Sequence, residues 1–359
     1  MLQPLERAWM EVDLGAVVRN TTALRSLAGV PVIPMIKADA YGLGAIQVAH
    51  ALEAVEPWGY GVATVVEGQE LRTSGITRPI LVFSPLLREE FGPAHDVRLT
   101  PTLGSAEAIA EWNKFGGPYH LSIDTGMARA GLPWREIASV AEEVIAHPPQ
   151  GAFTHFHSPS LNDGTMDIQE ARFRDAIATL PVRPHVLHTE SSAAVVRHGK
   201  TKWDAVRPGI FMYGVGSGAG VRLLPHPVVH VRARIAEIRR VEAGDTVSYE
   251  ATWTADSRRQ IATIPLGYAD GYPRASSNKG VGIVRGKRVK IAGRVTMDMI
   301  MLDVTDTGAE IGDVVTMIGS SPESGAELNV ESVAATADMS PYELLTGLRG
   351  RLRRIYRGQ

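Results

Sequence analysis

Cysteine is absent from the 359 residues. Disulfide frameworks, thiolate metal sites and cysteine nucleophiles are excluded together, and no metal centre is expected. An excess of charge of either sign is also lacking: 37 Lys and Arg stand against 39 Asp and Glu, a formal net charge of −2. That balance gives neither nucleic acid nor an anionic membrane an electrostatic grip, and neither is expected as a partner. Long hydrophobic runs are missing too. Apolar stretches such as Val30–Ile36 and Met299–Leu302 fall far short of the about 20 residues that cross a bilayer. The opening MLQPLERAWMEVDL scatters charges where a signal peptide carries an apolar centre. A soluble, cytoplasmic protein is expected.

What is present is an ordinary globular composition, 44% hydrophobic and 21% charged, in a chain long enough for more than one core. Up to about residue 225, short apolar runs alternate with helical patterns. VPVIPMI, YGVATV, PILVFSP, YHLSIDTG, GAFTHFH and PHVLHTE read as buried strands. AIQVAHALEAV, EGQELRTSG, IASVAEEVIAH and QEARFRDAIATL between them have helical period. Continuously apolar strands separated by helices argue for a parallel sheet covered by helices. Their number favours an α/β fold of the (β/α)8 barrel type over an open sheet, and no glycine fingerprint of a dinucleotide fold follows the first strand. After about residue 226 the text becomes alternating and rich in Gly/Asp turns, as in VVHVRARIAEIRRV and GVGIVRGKRVKIAGRV. The expected organisation is a barrel over residues 1–226 and a separate, mainly antiparallel β domain over 227–359. YELLTGLRGRLRRIYRG is expected to close the chain as a basic helical piece.

The first residue with chemistry is Lys37, directly after an apolar run. That places it at the C-terminal end of a buried strand, where barrel enzymes keep their reactive groups. A lysine there loses solvent, its pKa falls, and it becomes an amine nucleophile or base. A lone lysine at a strand end more commonly snorkels to water. Its neighbours change the reading: Tyr41, Gly42 and Gly44 supply a hydroxyl and a flexible turn into a helix, suited to a phosphate or carboxylate.

VIPMIKADAYGLG resembles the cofactor-lysine signature of alanine racemase, a pyridoxal phosphate enzyme family with a barrel followed by a β domain. DTGMARAG, THF, HTESSAA and RPGIFMYG match in order within the barrel part. VSYEATWTA, IPLGYADGYPR and AGRVTMDMIMLDV match within the β part, so the resemblance covers nearly the whole chain. It implies that Lys37 holds the cofactor as a Schiff base and then serves as one acid–base group, with Tyr249 as the second. Inverting a carbon through a planar carbanion takes a proton from one face and returns it on the other, which requires two such groups.

The resemblance further implies that Arg207 faces the pyridine nitrogen. A guanidinium only donates, so that nitrogen stays unprotonated and the cofactor is a weaker electron sink. Tyr41, Ser192, Gly209 and Ile210 are implied at the phosphate, His155 against the cofactor ring, and His188 in support of this network. Arg129 is implied at the cofactor oxygen and substrate carboxylate, with the backbone of Met297 at that carboxylate and Tyr268 lining the way in. In this family the lysine side of each site comes from one subunit and the tyrosine side from the other, which implies a homodimer acting on a small amino acid. The implied product is D-alanine for peptidoglycan. A broader-specificity or serine racemase is the nearest alternative.

Several positions depart from the family text. Ser122 stands where relatives often carry a carbamylated lysine that steadies the arginine equivalent to Arg129. HSPSLNDGTMD after His155 replaces a more acidic segment, and Thr296 stands where cysteine is frequent. Glu250 replaces a common glycine after Tyr249, and Gly350 stands where some relatives place a tyrosine near the phosphate. A fold-related decarboxylase would need an acidic partner for the ring nitrogen and a cysteine, against Arg207 and the absence of cysteine. A non-catalytic cofactor carrier built on one barrel would not need the β domain that brings Tyr249.

Overall fold

Seven parallel strands pair in sequence order: Tyr60–Val62, Ile80–Val82, Thr100–Leu103, His120–Asp124, Gly151–Phe153, Val186–Ser191 and Ala205–Arg207. This computed structural model describes residues 6–218, 221–348 and 351–358; Gly350 lies outside them. Most of the strands are short and buried along their length, as Ile80–Val82 is, because helices cover one face and the barrel interior the other. The eighth stave is the segment around Val30–Ile36. It forms parallel bridges from Val32 to Val206 and from Met35 to Gly61 and so closes the ring. Pro31 and Pro34 carry no N–H, so this stave donates through the residues between and after them: Ile33 N–H to Val206 O, Met35 N–H to Pro208 O and Ile36 N–H to Gly61 O. Lys37, Asp124, His155, Ser192 and Arg207 all lie at or just beyond the carboxyl ends of these staves. They share the mouth of the barrel for that reason.

The β unit has a main path of six strands, ordered Lys287–Lys290, Val281–Val284, Val314–Ser320, Val229–Arg234, Ala8–Asp13, Arg353–Arg357. A second sheet joins Glu237–Val241, Arg259–Ile264 and Ile300–Asp303, all antiparallel. No helix among the described residues is long and apolar enough to cross a membrane.

Two expectations are corrected here. The strand Ala8–Asp13, assigned with residues 1–226 to the barrel, instead pairs antiparallel with Val229–Arg234 and parallel with Arg353–Arg357. The closing segment is helical only over Pro341–Gly347, and Arg353–Arg357 is a strand. Charge draws the two chain ends together. Glu11 accepts from Trp9 Nε1 at 2.9 Å and Arg232 Nε at 3.1 Å, and pairs with Arg357 Nε at 3.0 Å.

Burial pushes the Glu11 carboxyl pKa up, but the Trp9 hydrogen bond and the charges of Arg232 and Arg357 outweigh it and hold it below 4.5. A carboxyl depressed on folding contributes stability above its unfolded pKa and loses it as pH falls through the folded one. Glu11→Gln should therefore cost about 3 kcal/mol at neutral pH, since buried Arg232 is left without its anion. Urea midpoints should show the gap to wild type fully open at pH 7 and closing below about pH 4.5. A gap independent of pH would contradict this reading of the cluster.

Candidate active site

Beyond Ile36 the backbone turns the unusual way. Ala38, Asp39, Ala40 and Tyr41 have φ of 50, 55, 53 and 57°, one turn of left-handed helix built without glycine. Such a turn costs L-residues about 1–2 kcal/mol each, so the surroundings must impose it. Ala38 N–H donates to Glu67 Oε1 at 2.7 Å, and Ala63 N–H to Glu67 Oε2 at 2.7 Å. Glu67 is itself fixed as the third residue of the helix capped by Thr64. On the other side, Asp39 accepts from Ala45 N–H at 2.7 Å and pairs with Arg354 at 2.6 Å. The turn brings Lys37 and Tyr41 to the lining of one cavity.

That cavity, about 450 Å³, is lined by Lys37, Tyr41, Arg129, His155, Ser192, Arg207, Gly209 and Ile210, eight of the residues singled out in the sequence. Burial first, then the charge of Arg129, lowers the Lys37 amine below its ordinary 10.5, with Glu67 opposing. Burial pushes the Tyr41 hydroxyl pKa up, keeping it a neutral donor. A Cβ on Gly209 would sit 2.7 Å from that hydroxyl, and Gly209 N–H donates to Ser192 Oγ at 2.8 Å. Tyr41, Ser192 and the Gly209 amide thus lie within reach of one small anion.

Arg207 is buried at the floor. Its Nη1 donates to His188 Nδ1 at 2.8 Å and His188 O at 2.5 Å; its Nη2 donates to Thr154 O at 2.8 Å, Thr189 O at 3.0 Å and His155 Nδ1 at 3.3 Å. Because a guanidinium only donates, His188 Nδ1 must accept, and its Nε2–H then donates to His120 Nδ1 at 2.8 Å. Among the described residues no hydrogen bond comes from its Nε–H, and Arg207 lines the cavity. Burial pulls Arg207 down to about 9, which leaves it charged at neutral pH. Burial and the Arg207 charge hold His155 down at about 3, and burial brings His120 to about 3 as well, so both imidazoles are neutral.

Tyr249, Tyr268 and Met297 do not join this group. None of them lines the Lys37 cavity. They sit exposed on the β unit at 72%, 42% and 53%. Tyr249 heads a short 3₁₀ turn, not a strand, and lines a separate cleft of about 890 Å³ with Ser248, Thr296 and Met299. Tyr268 N–H donates to Thr296 O at 3.0 Å and Ala269 N–H to Met297 O at 3.1 Å, so the turns bearing Tyr268 and Met297 are joined along their backbones. A single chain therefore presents two separate clefts, one lined by Lys37 and one by Tyr249.

Some residues of the site escape sequence reasoning. Glu67 was legible only as the end of a capping box, T-V-V-E. His120 and the lining residue Tyr342, whose ring centroid is 5.9 Å from that of Tyr41, carried no signal. Ser122 is buried beneath Gly131, and the Arg129 loop is shaped instead by Asp124, whose carboxylate accepts the N–H groups of Gly126, Met127 and Ala128.

Comparison with known proteins matches both halves. Residues 12–217 fit the family model of the alanine racemase N-terminal domain, and residues 228–356 that of the C-terminal domain. An alanine racemase from Symbiobacterium thermophilum is 35% identical, covering 100% of this chain and 99% of that protein. One from Carboxydothermus hydrogenoformans is 36% identical over 97% and 99%. Among solved structures, the alanine racemase of Bacillus anthracis with bound L-Ala-P superposes with a TM-score of 0.91 at 30% identity, covering 99% of this chain and 97% of that one. The alanine racemase of Bartonella henselae, with covalently bound pyridoxal phosphate, gives 0.90 at 28% identity over 98% and 99%. With both domain models matched in order across a barrel and a β unit, the chain belongs to the alanine racemase family.

Proposed function

We infer that this chain interconverts L- and D-alanine by a two-base mechanism, with Lys37 and Tyr249 on opposite faces of the substrate. The enzyme is an amino-acid isomerase dependent on pyridoxal phosphate. One observation carries the assignment of residues. A desolvated amine, a small-anion cradle and a buried arginine with a spare donor meet in one cavity.

The cradle fits the cofactor's phosphate. Tyr41, Ser192 and the backbone N–H groups of Gly209 and Ile210 would hold it, and a side chain on Gly209 would press on the Tyr41 hydroxyl. Lys37 would bond the carbonyl carbon and Arg207 would donate to the ring nitrogen, with His155 against the ring. The cofactor supplies an electron sink that makes the α-proton acidic. Lys37 and Tyr249 exchange that proton at the α-carbon, while Arg129 and the Met297 N–H hold the carboxylate and Tyr268 lines the way in. Arg207 stays charged, so it would donate a hydrogen bond to the ring nitrogen while keeping its own proton.

A fold-related decarboxylase would need a carboxylate facing the ring nitrogen. Asp124 is the acidic residue lining the cavity, and it is occupied by three backbone N–H groups. The separation of the half-sites supports a homodimer in which the Tyr249 face of one subunit covers the Lys37 mouth of the other. The chain then divides into a barrel unit, residues 1–226, and a β unit, 227–359, with the first strand lent across the divide. A cytoplasmic enzyme supplying D-alanine for peptidoglycan agrees with the absence of cysteine.

Borohydride treatment of the holoenzyme should fix the cofactor on Lys37 and abolish racemisation of alanine followed by chiral chromatography. A pyridoxyl adduct mapped to any other lysine would refute the assignment. Gly209→Ala, which drives a methyl group into the Tyr41 hydroxyl, should raise the cofactor dissociation constant about tenfold or more in an absorbance titration. An unchanged constant would remove Gly209 from the cradle.

A further inference from the structure

Tyr249 is tethered on both flanks to one residue. Ser248 Oγ donates to Arg294 O at 2.8 Å. On the other flank, Glu250 Oε2 accepts from Arg294 Nε at 3.1 Å and from its Nη2 at 2.5 Å. Arg274 approaches the second Glu250 oxygen at 4.0 Å. The neighbouring backbone is packed as closely: a Cβ on Gly293 would lie 2.4 Å from Val247 O and 2.7 Å from Ser248 Cβ.

The turn is also strained. Ser248, Glu250 and Ala251 have φ of 69, 62 and 49°. Such values favour glycine, yet Glu250 occupies one of them. A carboxylate is held there against local preference, bonded through one oxygen to Arg294 and approached at the other by Arg274.

We propose that Glu250 is the positioning residue for Tyr249, its ion pair with Arg294 fixing the turn so that the phenol hydroxyl meets the α-carbon on the face opposite Lys37. The proposal rests on the two-base reading above. Proton transfer needs the hydroxyl within hydrogen-bond reach of the reacting atom, and a displacement of about 1 Å costs on the order of a hundredfold in rate. An ion pair this exposed contributes little to global stability, so removing it leaves the fold in place. Its effect is orientation, and it acts on one face of the substrate only.

That one-sidedness gives the test. Exchange of the α-proton into D₂O is followed by NMR, separately for each alanine enantiomer, on holoenzyme carrying Tyr249→Phe, Glu250→Gln or Glu250→Gly. Tyr249→Phe identifies the enantiomer whose proton the tyrosine removes. Glu250→Gln should slow exchange from that enantiomer about ten- to hundredfold and leave the other within about twofold. Glu250→Gly, whose backbone suits the turn better than glutamate, should do the same, which excludes strain as the cause. Adding Arg294→Met to Glu250→Gln should cost little more, since the pair acts as a unit. Equal slowing of both enantiomers, or no effect of either Glu250 variant, would overturn the positioning role while leaving the two bases standing. Equal slowing by Tyr249→Phe itself would overturn the two-base reading, and the proposal with it.

Discussion

Four consecutive L-residues in left-handed conformation are the constraint on which the lysine half-site depends. No local preference produces the turn at Ala38–Tyr41. It exists because Glu67 takes the Ala38 N–H from one side and Arg354 grips Asp39 from the other. Arg354 lies on the last strand, which is seated beside the first strand, where Arg357 meets the carboxylate of Glu11. The two chain ends, far from the reacting atoms in sequence, thus hold the turn that delivers Lys37 and Tyr41. The β unit does more than present Tyr249.

Electrostatics at the barrel mouth follow from burial. Lys37, Arg129 and Arg207 put three cationic groups around one cavity with Asp124 as its acidic lining residue. Desolvation and mutual repulsion lower the amine of Lys37, and the histidines among them stay neutral. An anionic group bound there would relieve that repulsion. The direction of the Arg207–His188–His120 chain is set by a single chemical fact, that a guanidinium has no acceptor.

Much of this was legible in the sequence because it is carried by short segments. The runs VPVIPMI, YHLSIDTG and GAFTHFH read as staves, and the residues at and beyond the strand ends Ile36, Asp124 and Phe153 fall at one mouth. Eight of the twelve singled-out residues share a cavity for that reason. What stayed hidden is non-local or backbone in nature. KADAYG carries no glycine in its first five positions to announce a left-handed turn, and Glu67 reaches Ala38 from 29 residues along the chain. RRIYR has basic residues that suit a solvated helix as well as a strand; pairing beside the first strand, with Arg357 on Glu11 there and Arg354 on Asp39 of the Lys37 turn, goes with the strand. Single-chain geometry also keeps Tyr249 away from Lys37, a separation no sequence pattern records.

That separation makes the shared site the central claim. Lys37→Ala and Tyr249→Phe chains, each inactive alone, are mixed under conditions that let subunits exchange, and racemisation is assayed with added cofactor. Two-fold symmetry places both substitutions in one site of the mixed dimer and neither in the other, so the mixture should recover about a quarter of wild-type activity. A mixture that exchanges subunits and stays inactive would show that each chain completes its own site, and would contradict the account.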